Sequence, residues 1–271
     1  SNFFEIQTNK YINPFKNRPL TKYLDYIIIF TISIFLFSPI IYILCNFIIS
    51  VKGENIFFKT YFLKAFLNSF VLCFFTGILV TVIGFVLSIL LVKTIDKYIM
   101  QQILFIISSI ILVISPVIIS LGYFIILGEL RYNYSFIILI IIIINCIFLI
   151  PFSILILFTK IKNIFLNFKD IKETYRLDDK NFIIITYPLI RKNLFYIFSF
   201  SAALSFGDFT IISFFKNDSF QTLPTLLYKL ITSYRFNEAS IVAGFILIFS
   251  LFIFLIFDNI NNYKDKPDIS I

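Results

Sequence analysis

The sequence has no histidine and no tryptophan, one methionine, three cysteines and seven glycines in 271 residues. Without histidine there is no Cys/His zinc site and no imidazole to act as a general acid or base. Cys45, Cys73 and Cys146 all sit inside apolar runs and are odd in number. They are expected to pack as small hydrophobes, not to form a disulfide framework. Charge is scarce as well: charged residues make up 14% of the chain and hydrophobic ones 59%, where a soluble domain carries roughly 25% charged. The apolar residues also fall in blocks too long for the helices of a soluble domain.

What is present is six such blocks, at 26–51, 65–92, 103–127, 136–159, 194–215 and 240–257. A run of about 17–25 apolar residues crosses a bilayer as a helix, with its backbone hydrogen bonds satisfied internally. The expected fold is an all-α integral membrane bundle of six spans. Residues 1–25 would be a cytoplasmic lead-in and 258–271 a cytoplasmic tail. Lys10, Lys16, Arg18 and Lys22, then Lys93 and Lys97, the dense stretch 160–192, and Lys264 and Lys266 gather most of the positive charge on one side. Basic loops stay cytoplasmic, so both termini are expected there. The net charge of +8 then reflects loops facing anionic lipid and a cytoplasmic partner, not nucleic acid. The start lacks a signal-peptide pattern. A polar lead-in without Met is expected of a piece of a longer protein.

Gly77, Thr81, Gly84 and Ser88 recur at helical spacing in the second block and form one stripe of small residues. Such a stripe lets helices approach closely in lipid, either as ordinary packing or beside a translocation path. Pro39, Pro116 and Pro151 lie within blocks and are expected to kink them. Asn68 and Asn145 are expected to make interhelical hydrogen bonds, and Asn68 and Gly207 are also candidates, with Asp208, for a translocation path or gate. Asp208 is the one carboxylate well inside an apolar block. It either lines a path or gate, as a costly charge at membrane depth usually does, or follows Gly207 and is satisfied locally by backbone amides.

The stretch 160–192 is too long for a simple connection. Phe168, Ile171 and Tyr175 share one helical face, and Lys169, Lys172, Glu173 and Arg176 the opposite one. That pattern fits an interfacial helix lying on the membrane or a helix that docks in a cleft of a soluble protein. The segment 216–238, with Pro224, Tyr228, Tyr234 and Arg235, reads as a partner contact or as an interfacial aromatic belt.

The run from Asp170 through Glu173 and Arg176, then Asp178, Asp179, Lys180, Phe182 and Pro188, resembles the ATPase-docking loop of ABC importer permeases. Asp170 stands for the family's Glu and Arg176 for its Gly, while the two Ala of the pattern are absent. Leu67-Asn68-Ser69, Ser115-Pro116 with Leu121-Gly122, and Ile150-Pro151-Phe152 resemble other marks of that family. Ser205-Phe206-Gly207-Asp208-Phe209, Thr222-Leu223-Pro224, Leu227-Tyr228, Tyr234-Arg235, Ala239 and Ala243 resemble in order the C-terminal half of the thiamine and thiamine-pyrophosphate branch.

The resemblance implies a permease core at about 64–257 with a coupling loop at 160–193 and no catalytic residue of its own. It also implies no cofactor on this chain, ATP and Mg being held by a partner ATPase dimer. Further implied partners are a second permease half, a periplasmic substrate-binding protein contacting Pro224, Tyr228, Tyr234 and Arg235, and membrane lipid, in a bacterial inner membrane. Ferric iron, polyamine or an oxyanion are alternative cargoes of the same fold. A secondary transporter is the alternative outside it, although no internal repeat or midplane ionisable set is evident.

Overall fold

The computed structural model describes residues 19–51, 53, 56–94, 99, 102–103, 106, 110–128, 133–168, 174, 179–215 and 220–263. Every element among them is helical: α1 (Pro19–Val51), α2 (Thr60–Lys93), a 3-10 turn (Ile110–Val113), α3 (Pro116–Ile126), α4 (Tyr134–Asn167), α5 (Asp179–Phe206), α6 (Ile212–Phe215), α7 (Leu223–Thr232) and α8 (Phe236–Tyr263).

α2 is the centre of the bundle. It packs along α4 and α5, while α8 joins α5, α7 and α1. The face α2 turns inward carries the helix's polar and small residues, Asn68, Ser69, Thr76, Gly77, Gly84 and Ser88, buried among Phe62, Leu72, Val80 and Leu91. Its outward face is apolar, with Leu67, Phe70, Phe74, Val82, Val86 and Leu90 exposed. Water would reverse that arrangement; a hydrocarbon solvent accepts it, because close approach and interhelical polar contacts then carry the packing. A Cβ on Gly84 would lie 1.8 Å from Ser153 Oγ of α4, and one on Gly77 would lie 3.0 Å from the Phe198 ring of α5. Thr81 Oγ1 bonds back to the Gly77 carbonyl at 2.7 Å. At the other side of the bundle Phe62, Phe66, Phe206, Phe245 and Phe249 interlock α2, α5 and α8 through ring pairs 4.8–5.6 Å apart.

Among the described residues four helices are long and apolar enough to cross a membrane: Asp25–Val51, Thr60–Lys93, Tyr134–Asn167 and Phe236–Ile256. They correspond to the first, second, fourth and sixth expected blocks, each extended at one or both ends. The third and fifth blocks differ from expectation. The third is not one span over 103–127. The 3-10 turn stops at Val113, Ser115 is extended (φ −64°, ψ 135°), and Pro116 opens the eleven-residue α3. Proline disfavours the α conformation in the residue before it and is at home in a first turn, so Pro116 starts a helix here instead of kinking one.

The fifth helix runs 179–206, not 194–215. It is 28 residues long, but its first half carries Lys180, Arg191 and Lys192, and only its second half is free of charge. Helix α4 continues to Asn167 because Ile161 and Ile164 keep its buried face apolar, while long lysine stems can carry their charges outward. Much of the stretch expected as a loop over 160–193 is therefore helix.

Candidate functional site

Two helix breaks meet at one cavity of about 320 Å3. One is the Ile114–Pro116 junction at the start of α3. The other is the turn after α5, where Asp208, Thr210 and Ile211 line the wall. Helix α4 supplies Asn145, Phe148, Leu149 and Phe152, an i, i+3, i+4, i+7 set on a single face, and α5 supplies Leu204 and Ser205.

Asp208 explains the second break. Its Oδ1 accepts the backbone N–H of Thr210 at 2.9 Å and of Ile211 at 3.4 Å. An Asp that takes the next amides competes with helix continuation, so α5 stops at Phe206. Asp208 therefore sits in a turn between α5 and α6, not within a span. The local satisfaction weighed from the sequence covers one oxygen; Oδ2 is buried without a hydrogen-bond partner among the described residues. Beside it a polar chain crosses three helices. Asn145 Nδ2 donates to Ser205 Oγ at 3.2 Å, and Ser205 Oγ donates to Thr76 Oγ1 at 3.3 Å.

Asn68 lies apart from this cavity. Its Nδ2 donates to the Gln221 carbonyl at 2.7 Å, its Oδ1 accepts from Tyr134 Oη at 2.6 Å, and neighbouring Ser69 Oγ accepts the Leu223 amide at 2.9 Å. These bonds fasten the entry of α7 to α2. Thr222 and Thr225 form a capping box at the same point, and Pro224 is buried within it. Tyr228 and Tyr234 are exposed, so of the four residues expected as a partner surface, Pro224 is inside the fold. Tyr234 has φ +59°. Arg235 N–H bonds to the Leu230 carbonyl and Tyr234 N–H to that of Ile231, both at 3.0 Å. That is a Schellman ending with tyrosine where glycine usually sits.

Sequence reasoning missed the ion cluster at this rim. Buried Glu238 accepts from Lys59 Nζ at 3.1 Å and Tyr61 Oη at 2.8 Å and pairs with Arg235. The hydrogen bond to Glu238 holds the Lys59 ammonium above its ordinary pKa and does the same for the Arg235 guanidinium. The Arg235–Glu238 spacing across a helix start was the one available signal; Lys59 and Tyr61 are remote in sequence.

Of the expected docking residues, Asp170, Glu173, Arg176 and Asp178 lie outside the described residues, as does most of the amphipathic segment. Asp179, Lys180 and Phe182 are on the first turns of α5, and Pro188 is inside that helix and exposed.

A bundle of apolar helices with polar side chains inside and lipid-compatible ones outside defines a multi-pass α-helical membrane protein. Along nearly its whole length the chain is similar to the thiamine transport system permease protein ThiP of Haemophilus influenzae. The two are 27% identical over 259 residues, 94% of this chain and 47% of that protein. ThiP of Escherichia coli is 34% identical over 70 residues, 26% of this chain and 13% of that protein. ThiP of Brucella abortus is 30% identical over 157 residues, 56% of this chain and 28% of that protein. The first match leaves about half of the relative's length uncovered. No family model matches the chain.

Proposed function

We propose that this chain is one six-span half of the membrane permease of an ATP-driven importer, and that its cargo is thiamine or a thiamine phosphate. The observation that carries the reading is the match over 94% of the chain to the thiamine transport permease of Haemophilus influenzae, with shorter matches to those of other bacteria. In this reading the segment around 170–188 forms a coupling helix seated on a cytoplasmic ATPase dimer, which holds ATP and Mg. A second half completes the pathway, and a binding protein delivers substrate to the rim around Tyr228 and Tyr234. Both termini are cytoplasmic. The chain performs no covalent chemistry; its part is to open the cavity to alternate sides as the ATPase closes.

The test is uptake of radiolabelled thiamine by cells from which the chain has been deleted and then restored. Uptake lost on deletion and regained on restoration is expected. Normal uptake without the chain would overturn the thiamine assignment. Copurification of a nucleotide-binding subunit, lost in Glu173→Ala or Phe182→Ala, is expected for an ATP-driven importer; transport that never requires such a subunit would place the chain among secondary transporters.

A further inference from the structure

The geometry points to the cavity between α3, α4 and the α5–α6 turn as a subsite for a planar organic cation, with Asp208 as its counter-charge. This rests on reading the chain as half of a thiamine importer and adds where the positively charged ring is held.

Three independent features converge there. First, both breaks in helical backbone, at Ile114–Pro116 and after Phe206, line this one cavity. Interrupted backbone at membrane depth persists where it lines a cavity, and transporter sites are commonly built from such breaks. Second, Asp208 spends Oδ1 on the Thr210 and Ile211 amides and keeps a buried Oδ2 unpaired. A buried carboxylate oxygen left without a partner is costly. Third, Phe148 and Phe152 stand one turn apart on α4 and both line the wall, and aromatic side chains are partners for an organic cation.

The volume lies at the low end of the roughly 300–1,000 Å3 usual for small-molecule sites, enough for one heterocyclic head. Among the described residues neither Lys nor Arg lines the cavity, which suits the charged ring and not a phosphate arm. Asn145 and Ser205 add polar contact at one end without charge.

The test is equilibrium binding to the intact transporter in lipid nanodiscs, with thiamine and its neutral thiophene analogue as probes. Wild type is expected to prefer thiamine. Asp208→Asn, which keeps the Oδ1 acceptor, is expected to weaken thiamine by about tenfold or more, as loss of one partner of a desolvated charge pair does, and to leave the analogue unchanged. Asp208→Glu should keep part of the preference. Equal loss for both probes, or loss for neither, overturns the proposal. Thr210→Cys gives a second readout that leaves Asp208 in place: thiamine should slow alkylation at that position, and absence of protection overturns the siting.

The two readings fail separately. Normal thiamine uptake with an unaltered preference in Asp208→Asn removes the subsite and leaves the importer. If thiamine neither binds nor is transported but N-methylpyridinium binds in an Asp208-dependent way, the subsite stands and the thiamine assignment falls. Failure of both cations to bind wild type overturns the subsite.

Discussion

Replacing Gly84 with alanine tests the packing of the bundle at its tightest point. The added Cβ would meet Ser153 Oγ at 1.8 Å and Ser153 Cβ at 2.7 Å. The hydroxyl can rotate away, at the expense of its 2.9 Å bond to the Ile150 carbonyl. The Cβ cannot, so α2 and α4 must separate by several tenths of an ångström. Overpacking of this kind costs about 1–3 kcal/mol, and alanine returns up to about 1 kcal/mol of helix propensity relative to glycine. The net expectation is a loss of about 1–2 kcal/mol. A thiol-reactive dye reports melting in detergent once the exposed Cys45 is replaced by serine, because Cys73 and Cys146 are buried and free in the native state. Ser153→Gly in the Gly84→Ala background removes both clashing atoms and should recover most of the loss, whereas Ser153→Ala leaves the Cβ and should recover less. A Gly84→Ala protein as stable as wild type, or a double mutant no better than the single one, would refute close α2–α4 contact.

The other expectations concern the ends of the bundle. Gly244→Ala brings a Cβ within 2.5 Å of Phe47 Cβ and Cγ; it should loosen α1 from α8, reducing disulfide cross-linking between cysteines introduced into those two helices, with Phe47→Gly, which removes every clashing atom, restoring it better than Phe47→Ala, which keeps the Cβ. Tyr234→Gly relieves a left-handed residue and should raise stability by about 1 kcal/mol, while Tyr234→Ala should not; melting curves of the two variants separate backbone strain from loss of the ring. Asn68→Ala removes bonds to Gln221 and Tyr134 and should cost about 1–3 kcal/mol, with faster proteolysis between α6 and α7. Glu238→Gln should lower the melting temperature more than Lys59→Ala or Arg235→Ala, because the carboxylate is the buried acceptor common to all three donors.

The class of fold was legible because span length and charge scarcity depend on solvent alone. The membrane asks for the same run of apolar residues whatever the helices pack against. What composition could not place were the interruptions. Ser115-Pro116 and Gly207-Asp208 sit in runs as apolar as their neighbours, and a hydropathy reading passes over them. Their local chemistry decides: a proline that restricts the residue before it, and a carboxylate that captures two amides. The helix ends were misplaced for the opposite reason. Lys160, Lys162, Arg191 and Lys192 read as loop, but long cationic side chains at a helix end can reach water while the backbone continues.

The polar residues divide along the same line. Asn68 and Ser69 could be picked out as unusual in an apolar stretch, yet two of their partners are a backbone carbonyl and an amide more than 150 positions away, with no side-chain signature, and the third, the Tyr134 hydroxyl, is one tyrosine among 15. Glu238 escaped notice because one acid at a helix start is unremarkable; only the fold brings Lys59 and Tyr61 to it. Asp208 was conspicuous from the start, and the two readings weighed for it each describe one of its oxygens. The amides that satisfy Oδ1 are also what end α5 and create the turn, so the local role builds the wall. The oxygen left over is consistent with a charge the wall presents to something else. A purely structural Asp would need only the first oxygen, and asparagine would serve it equally well. Substitution by asparagine is therefore the change that separates the two.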